Sequence, residues 1–248
     1  ADDLALITKT EEELQEMMTS LVETGRRYGM EINVNKSKVM MIASNVEPLN
    51  IVIGNTRLEQ VDYFKYLGST ITNNGECTND IRTRIALAKA AFNSRRSLLT
   101  GKLDLKLKKK LVKCYVWSVA LYGAETWTLR KKEKNYLDAF EMWCWRRMEK
   151  ISYMDRITNE EVLRRVQENR SLISNVLKRK ANWIGHILRR NGLLHDILEG
   201  KMEGGNASRL GRRRIQILDD LKNGKRYWEL RKEVENREGW RTRFRVHT

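Results

Sequence analysis

Ala1-Asp2-Asp3-Leu4-Ala5-Leu6-Ile7 opens the chain with two adjacent carboxylates and a short apolar run. The run is rich enough in Leu and Ile to read as a buried strand. Neighbouring strand residues point to opposite faces, so Asp2 and Asp3 do not both decorate one surface. Two carboxylates at the tip of a buried strand are costly to hold unless a cation compensates them. Mg²⁺ suits that role, because it takes one or two carboxylates and keeps its other positions for water and phosphate. Taken alone, the dipeptide reads as a polar turn at a frayed terminus. The segments that follow reverse that reading.

Charge divides the chain in two. Residues 1–80 carry 7 basic and 13 acidic side chains, whereas residues 81–248 carry 41 basic and 19 acidic ones, and the whole sums to +16. A basic second part after an acidic first part suits a polyanionic partner such as nucleic acid. Solvated Lys and Arg faces on a helical protein are the plainer alternative. Hydrophobic residues make up 41% of the chain, enough for a real core, but no run approaches the ~18 apolar residues of a membrane span. A membrane partner is therefore not expected. Cys77, Cys114 and Cys144 are odd in number and widely spaced, which fits neither a disulfide framework nor a zinc module. A reducing compartment is the default.

After the opening strand, Thr10-Glu11-Glu12-Glu13 reads as a capping box. It starts a helix carrying Leu14, Met17, Met18, Leu21 and Tyr28 at helical spacing, closed by Gly25 and Gly29. A polar loop with Lys36 and Lys38 precedes an apolar strand, Val39-Met40-Met41-Ile42. Pro48 separates that strand from a hairpin, in which Gly54-Asn55 turns Ile51-Val52-Ile53 into Arg57-Leu58-Glu59. A third strand, Asp62 to Tyr66, turns at Leu67-Gly68 into Ser69-Thr70-Ile71-Thr72. Alternation puts Phe64 and Tyr66 on one face.

From Asn79 the pattern becomes helical. Ile81, Ile85, Ala88, Phe92 and Leu99 form an apolar stripe, with Arg82, Lys89 and Arg96 spaced by seven beside it. A second helix is expected to bury Leu107, Leu111, Tyr115, Val119 and Tyr122. It is entered through Lys106, Lys108, Lys109 and Lys110, either a phosphate contact or a solubilising end. Trp127 packs a connector, and Leu137, Phe140, Cys144, Met148 and Ile151 mark a third helix with Trp143 and Trp145 beside its stripe. Leu172, Val176, Ile184 and Ile187 mark a fourth, surrounded by Lys178, Arg179, Lys180, Arg189 and Arg190. His186 has no ligand spacing to another His or Cys and reads as a packed or surface residue. Arg212, Arg213 and Arg214 follow a Gly-rich break as a basic cluster fit for nucleic acid, for a nuclear-import receptor, or for an exposed linker.

In this order, the blocks resemble the reverse transcriptases of non-LTR (LINE-type) retrotransposons. Ala1-Asp2-Asp3 is similar to that family's aromatic-Ala-Asp-Asp box, though the aromatic would precede residue 1. Gly29-Met30-Glu31-Ile32-Asn33-Val34-Asn35-Lys36-Ser37-Lys38 looks like the next block, with Lys36 at its Lys position. Tyr63-Phe64-Lys65-Tyr66-Leu67-Gly68 is similar to the turn that grips the primer end. The resemblance is strong over about the first third of the chain.

It implies an α+β fold: a small antiparallel palm-like sheet region, then a mainly helical thumb and C-terminal region. The expected parts are a distal palm with the primer grip over residues 1–76 and a helical thumb over 77–122. A helical region over 123–200 and a basic flexible tail over 201–248 with short helices complete them. It implies two-metal transfer of deoxynucleotide triphosphates onto a primer 3′-hydroxyl, with Asp2 and Asp3 as Mg²⁺ ligands and Lys36 near the leaving pyrophosphate. Phe64, Lys65, Tyr66, Leu67 and Gly68 would position the primer. Arg82, Lys89, Arg96, Lys108, Lys109 and Arg212–Arg214 would hold an RNA template and DNA primer. The fingers and first palm half would lie upstream, so the chain alone is expected not to polymerise. A non-catalytic nucleic-acid-binding helical remnant is the second reading.

Overall fold

The computed structural model describes residues 3–43, 46–190, 192–199, 217–222 and 224–244. They form two units, Ala1–Cys77 and Thr78–Thr248. Short strands fill the first and helices the second, so the fold is α+β as the sequence implied.

In the first unit, helix α1 (Glu11–Arg27) starts where expected. Thr10 Oγ1 accepts the Glu13 N–H, and the Glu13 carboxylate accepts the Thr10 N–H in return. Strand β1 (Lys38–Val39) pairs in parallel with β4 (Glu59–Gln60), and β2 (Val52–Ile53) pairs antiparallel with β3 (Thr56–Arg57) through the Gly54-Asn55 turn. Strands β5 (Tyr63–Tyr66) and β6 (Ser69–Thr72) make a second hairpin. Val39, Leu49, Ile51 and Leu58 form the core, with Leu14 and Met18 of α1 leaning on it.

Gln15 binds α1 to β2 by imitating a neighbouring strand. Its Nε2 donates to the Val52 carbonyl at 3.0 Å and its Oε1 accepts the Val52 N–H at 2.8 Å. Both backbone groups of an edge residue are thus satisfied by one side chain.

Two expected strands are shorter or absent. The run after Lys38 ends as a strand at Val39, because its partner β4 stops at Gln60 and the chain turns toward the second hairpin. Residues 3–8 form no strand, since no described strand lies beside them to complete a ladder. Leu4 and Ile7 are accordingly 68% and 87% exposed.

The second unit begins with α2 (Thr78–Ser94), whose Ile81, Ala88 and Phe92 are fully buried while Ile85 is half-buried. Arg95 leaves helical geometry, and a separate turn, α3 (Arg96–Leu99), follows. Arg82, Lys89 and Arg96 therefore do not share one continuous helix.

Helix α4 (Leu105–Val112) is capped by the Asp104 carboxylate. It runs into a wider π-helical stretch, Lys113–Trp117, and then α5 (Ser118–Ala120). The buried face differs from the one expected. Val112, Val116, Trp117, Ala120 and Leu121 are inside, while Leu107, Tyr115 and Tyr122 stay exposed. One step along a helix rotates the face by about 100°, and the π turn adds a residue to the repeat. An aromatic at Trp117 outweighs the Leu–Tyr stripe in choosing which side faces in.

Helix α6 (Lys131–Met148) is central, burying Leu137, Phe140, Cys144, Trp145 and Met148. Its Glu141 carboxylate accepts the Ser171 and Leu172 N–H groups at 3.0 and 3.2 Å. It thereby caps the start of α8 (Leu172–Leu188), which follows α7 (Asn159–Val166). Burial holds the Glu141 carboxyl above its usual range. Trp127 is buried as expected, donating from Nε1 to the Asp80 carboxylate at 2.9 Å.

Beyond α9 (Leu193–Glu199), the short helices α10 (Asp219–Lys222), α11 (Tyr227–Glu235) and α12 (Arg237–Arg243) pack on α8. Leu221, Leu230, Val234 and Trp240 meet Ala181, Ile184 and Leu188 there. An ion pair anchors this layer: Lys180 Nζ donates to the Asp220 carboxylate at 2.8 Å and to the Trp127 carbonyl at 2.6 Å. Both side chains are almost wholly buried.

Burial also decides thiol chemistry. It pushes the Cys144 thiol far up, whereas Cys114 is exposed. With an excess of an aromatic disulfide reagent, Cys114 is expected to react first in the native protein. Cys144 is expected to react only after denaturation, and fast native labelling of Cys144 would contradict its placement.

Candidate nucleic-acid interface

The first unit holds three of the expected site elements. Asp3 is exposed and makes no hydrogen bond or ion pair among the described residues, so none of them engages its carboxylate oxygens. Asp2 lies outside the described residues. Lys36 is exposed on a tight loop that Asn33 organises: Asn33 Oδ1 accepts the Lys36 N–H at 3.1 Å, and its carbonyl accepts the Ser37 N–H at 3.0 Å. Lys38 is instead paired with Glu59 across β1 and β4.

The β5–β6 hairpin presents its ends differently on its two faces. Phe64 and Tyr66 are half-buried on one side, and Tyr63 and Lys65 are exposed on the other. Its two-residue turn has φ +47 at Leu67 and +84 at Gly68. Positive φ at both positions gives the turn the twist of the flanking strands. Glycine adopts it freely, but at Leu67 it is strained by about 1 kcal/mol or more. The strained leucine is also 55% exposed at the hairpin tip.

In the second unit, the expected phosphate-binding cations fall into two groups. Arg82 and Arg96 are exposed, and no described side chain engages either guanidinium. The others serve the fold. Lys89 Nζ lies 5.3 Å from the centre of the Trp143 ring, which Arg147 also approaches, at 5.6 Å. Lys108 pairs with Glu149 at 3.2 Å. Lys109 donates to the Val166 and Gln167 carbonyls at 3.0 and 3.1 Å, placing a cation at the negative end of α7. Arg212, Arg213 and Arg214 lie outside the described residues. His186 is an exposed residue of α8. Among the described residues, no group of three or more His, Cys, Asp or Glu side chains converges on a metal position. None of their helices is long and apolar enough to cross a membrane.

The sequence reading passed over a cleft of about 800 Å³ bordered by α4, the π-helical stretch, α7 and the start of α8. Trp117, Gln167, Asn169, Asn175 and Arg179 are among its lining residues.

Residues 1–71 match the family model for reverse transcriptase (RNA-dependent DNA polymerase). Over those residues the chain is similar to reverse transcriptases. The matched span contains Asp2, Asp3, Lys36 and the hairpin turn at Leu67-Gly68. A putative uncharacterized transposon-derived protein of Caenorhabditis elegans is 29% identical over 197 residues, covering 77% of this chain and 70% of that protein. The similarity therefore extends well past the reverse transcriptase segment into the helical unit. Both matches point the same way as the resemblance read from the sequence. No solved structure matches the chain.

Proposed function

We propose that the chain forms the distal palm, thumb and C-terminal region of an RNA-directed DNA polymerase of a non-LTR retrotransposon. One observation carries this reading: the reverse transcriptase match spans the acidic pair, the Lys36 loop and the turn of the β5–β6 hairpin together. In this reading residues 1–76 are the distal palm, 77–122 the thumb, 123–200 a helical region and 201–248 a basic tail.

Asp2 and Asp3 would hold Mg²⁺. Adjacent hard carboxylate oxygens suit that ion, and the uncommitted carboxylate of Asp3 fits a ligand role. When bound, the metal supplies a lowered pKa for the attacking primer hydroxyl and charge neutralisation for the leaving pyrophosphate. Lys36, on its ordered loop, places a cation near the triphosphate. The hairpin tip, with Leu67 and Gly68 at positive φ, brings backbone close to the primer end, while Phe64 and Tyr66 brace it from below. The RNA template and DNA primer lie along the basic second part, held through phosphates and without sequence readout. The strong positive excess after residue 80 supports that division of labour.

Binding tests the second half of this reading. Arg82→Ala combined with Arg96→Ala is expected to weaken RNA–DNA duplex binding on every sequence alike. The slope of log affinity against log salt should become shallower by about two. Lys89→Ala should also lower the melting temperature, because it removes the cation over Trp143. A sequence-selective loss in the double variant would contradict backbone contact.

A further inference from the structure

The cleft beside α7 is lined by cations and side-chain amides together with the carboxylates of Glu160 and Glu168, the latter paired with Lys109 and Lys113. Its volume of about 800 Å³ lies within the ~300–1,000 Å³ of cavities that hold one small organic molecule. A double helix is far too wide to enter it. Arg179 sits in its wall with a guanidinium fixed by one bond, from Nη1 to the Leu121 carbonyl at 3.0 Å. No described carboxylate pairs with that guanidinium. It is a positioned positive charge with donors to spare, which is what recognition of a phosphate requires.

Facing the cleft with it are three side-chain amides. Gln167 and Asn169 are exposed and make no side-chain hydrogen bond with any described residue. Asn175 donates from Nδ2 to the Ser171 carbonyl at 2.9 Å, which leaves its Oδ1 to accept from elsewhere. The backbone fixes this arrangement, since Gln167 ends α7 at φ +51 and Lys109 grips its carbonyl. An amide carries a donor and an acceptor side by side, matching the paired groups on a base edge.

We infer that this cleft takes one unstacked nucleotide of a single-stranded nucleic acid, with its phosphate on Arg179 and its base edge on the Asn169 and Gln167 amides. The inference rests on the nucleic-acid-binding half of the function proposed above. A strand running off the end of a template–primer duplex provides such nucleotides, because its bases are free to splay out. A free nucleotide would present the same chemistry, so the test includes both sources.

The experiment measures binding of the whole chain to labelled single-stranded oligonucleotides of differing base composition, and to an RNA–DNA duplex. Asn169→Ala, a change at an exposed residue without partners, is expected to lower affinity about tenfold for the preferred base and to flatten base preference. Arg179→Ala is expected to weaken all single strands alike and to reduce the salt slope by about one. Neither variant should alter duplex affinity. Thermal melting confirms that Asn169→Ala is folded. Unchanged single-strand binding in both variants would overturn the inference while leaving the duplex-binding reading intact. Displacement of the oligonucleotide by stoichiometric nucleoside monophosphate would overturn the strand assignment in favour of a free nucleotide. A parent chain that binds neither single strand nor duplex would instead remove the function proposed above.

Discussion

Asp2→Ala, in protein expressed from its full open reading frame, is expected to reduce Mg²⁺-dependent primer extension by about three orders of magnitude or more. That loss corresponds to roughly 4 kcal/mol of transition-state stabilisation, since each ~1.4 kcal/mol is tenfold in rate. Template–primer affinity should hardly change, because the phosphate contacts proposed to hold the duplex lie in the basic second part and not at Asp2. Affinity falling in step with activity would mean that Asp2 supports the fold rather than the chemistry. Asp3→Ala makes the companion measurement. The reverse transcriptase resemblance gives Asp2 the more direct metal role, so Asp3→Ala should cost less.

Gly185→Ala is expected to have the largest effect on stability. A Cβ at this position would lie 2.6 Å from Trp240 Nε1 and 3.1 Å from its Cδ1. The indole has nowhere easy to go, because Nε1 donates to the Ala181 carbonyl at 2.8 Å and the ring is buried against Phe244. Overpacking there should cost about 2–3 kcal/mol, lowering the melting temperature of the second unit by roughly 5–10 °C. Trp240→Phe, which loses the hydrogen bond alone, should cost nearer 1 kcal/mol. The sign reverses without the indole. In a Trp240→Ala background the remaining tight neighbour is the Arg189 guanidinium at 3.0 Å, the end of a flexible side chain that can shift, so Gly185→Ala should be near neutral or stabilise by up to about 1 kcal/mol through helix propensity. The double-mutant cycle thus isolates the close approach. Equal cost in both backgrounds would show that the glycine matters for another reason.

The sequence made the local elements legible wherever a short-range signal carried them. The Thr10–Glu13 capping box, the Gly54-Asn55 turn and the Leu67-Gly68 turn each depend on a few adjacent residues and formed as expected. Stripes were less dependable. In α4 the apolar spacing from Leu107 was real, yet the Val112–Val116–Ala120 face went inside, a choice made by the π turn and Trp117. Lys180 reads as one of the cations around the fourth stripe, although it lies four residues from both Val176 and Ile184 on the buried stripe itself. That spacing was visible. Its partner was not, because Asp220 lies 40 residues away and beyond a Gly-rich stretch. Lys109 likewise read as a phosphate ligand, when its partners are helix-end carbonyls some 57 residues along the chain. Long-range partners of charged residues leave no periodic trace, and so the cleft at Arg179 and Asn169 stayed hidden too. The resemblance to reverse transcriptases was recognisable because its motifs sit in contiguous blocks.

Primer extension on an RNA template is the most direct measurement of what this chain contributes. The protein expressed from the full open reading frame that contains Ala1–Thr248 should lengthen an annealed DNA primer in Mg²⁺ and deoxynucleotide triphosphates. Chelation should stop the reaction without releasing the template–primer. A protein that holds the template–primer tightly yet leaves the primer at its starting length in Mg²⁺ would contradict the polymerase reading and leave a nucleic-acid-binding helical protein in its place.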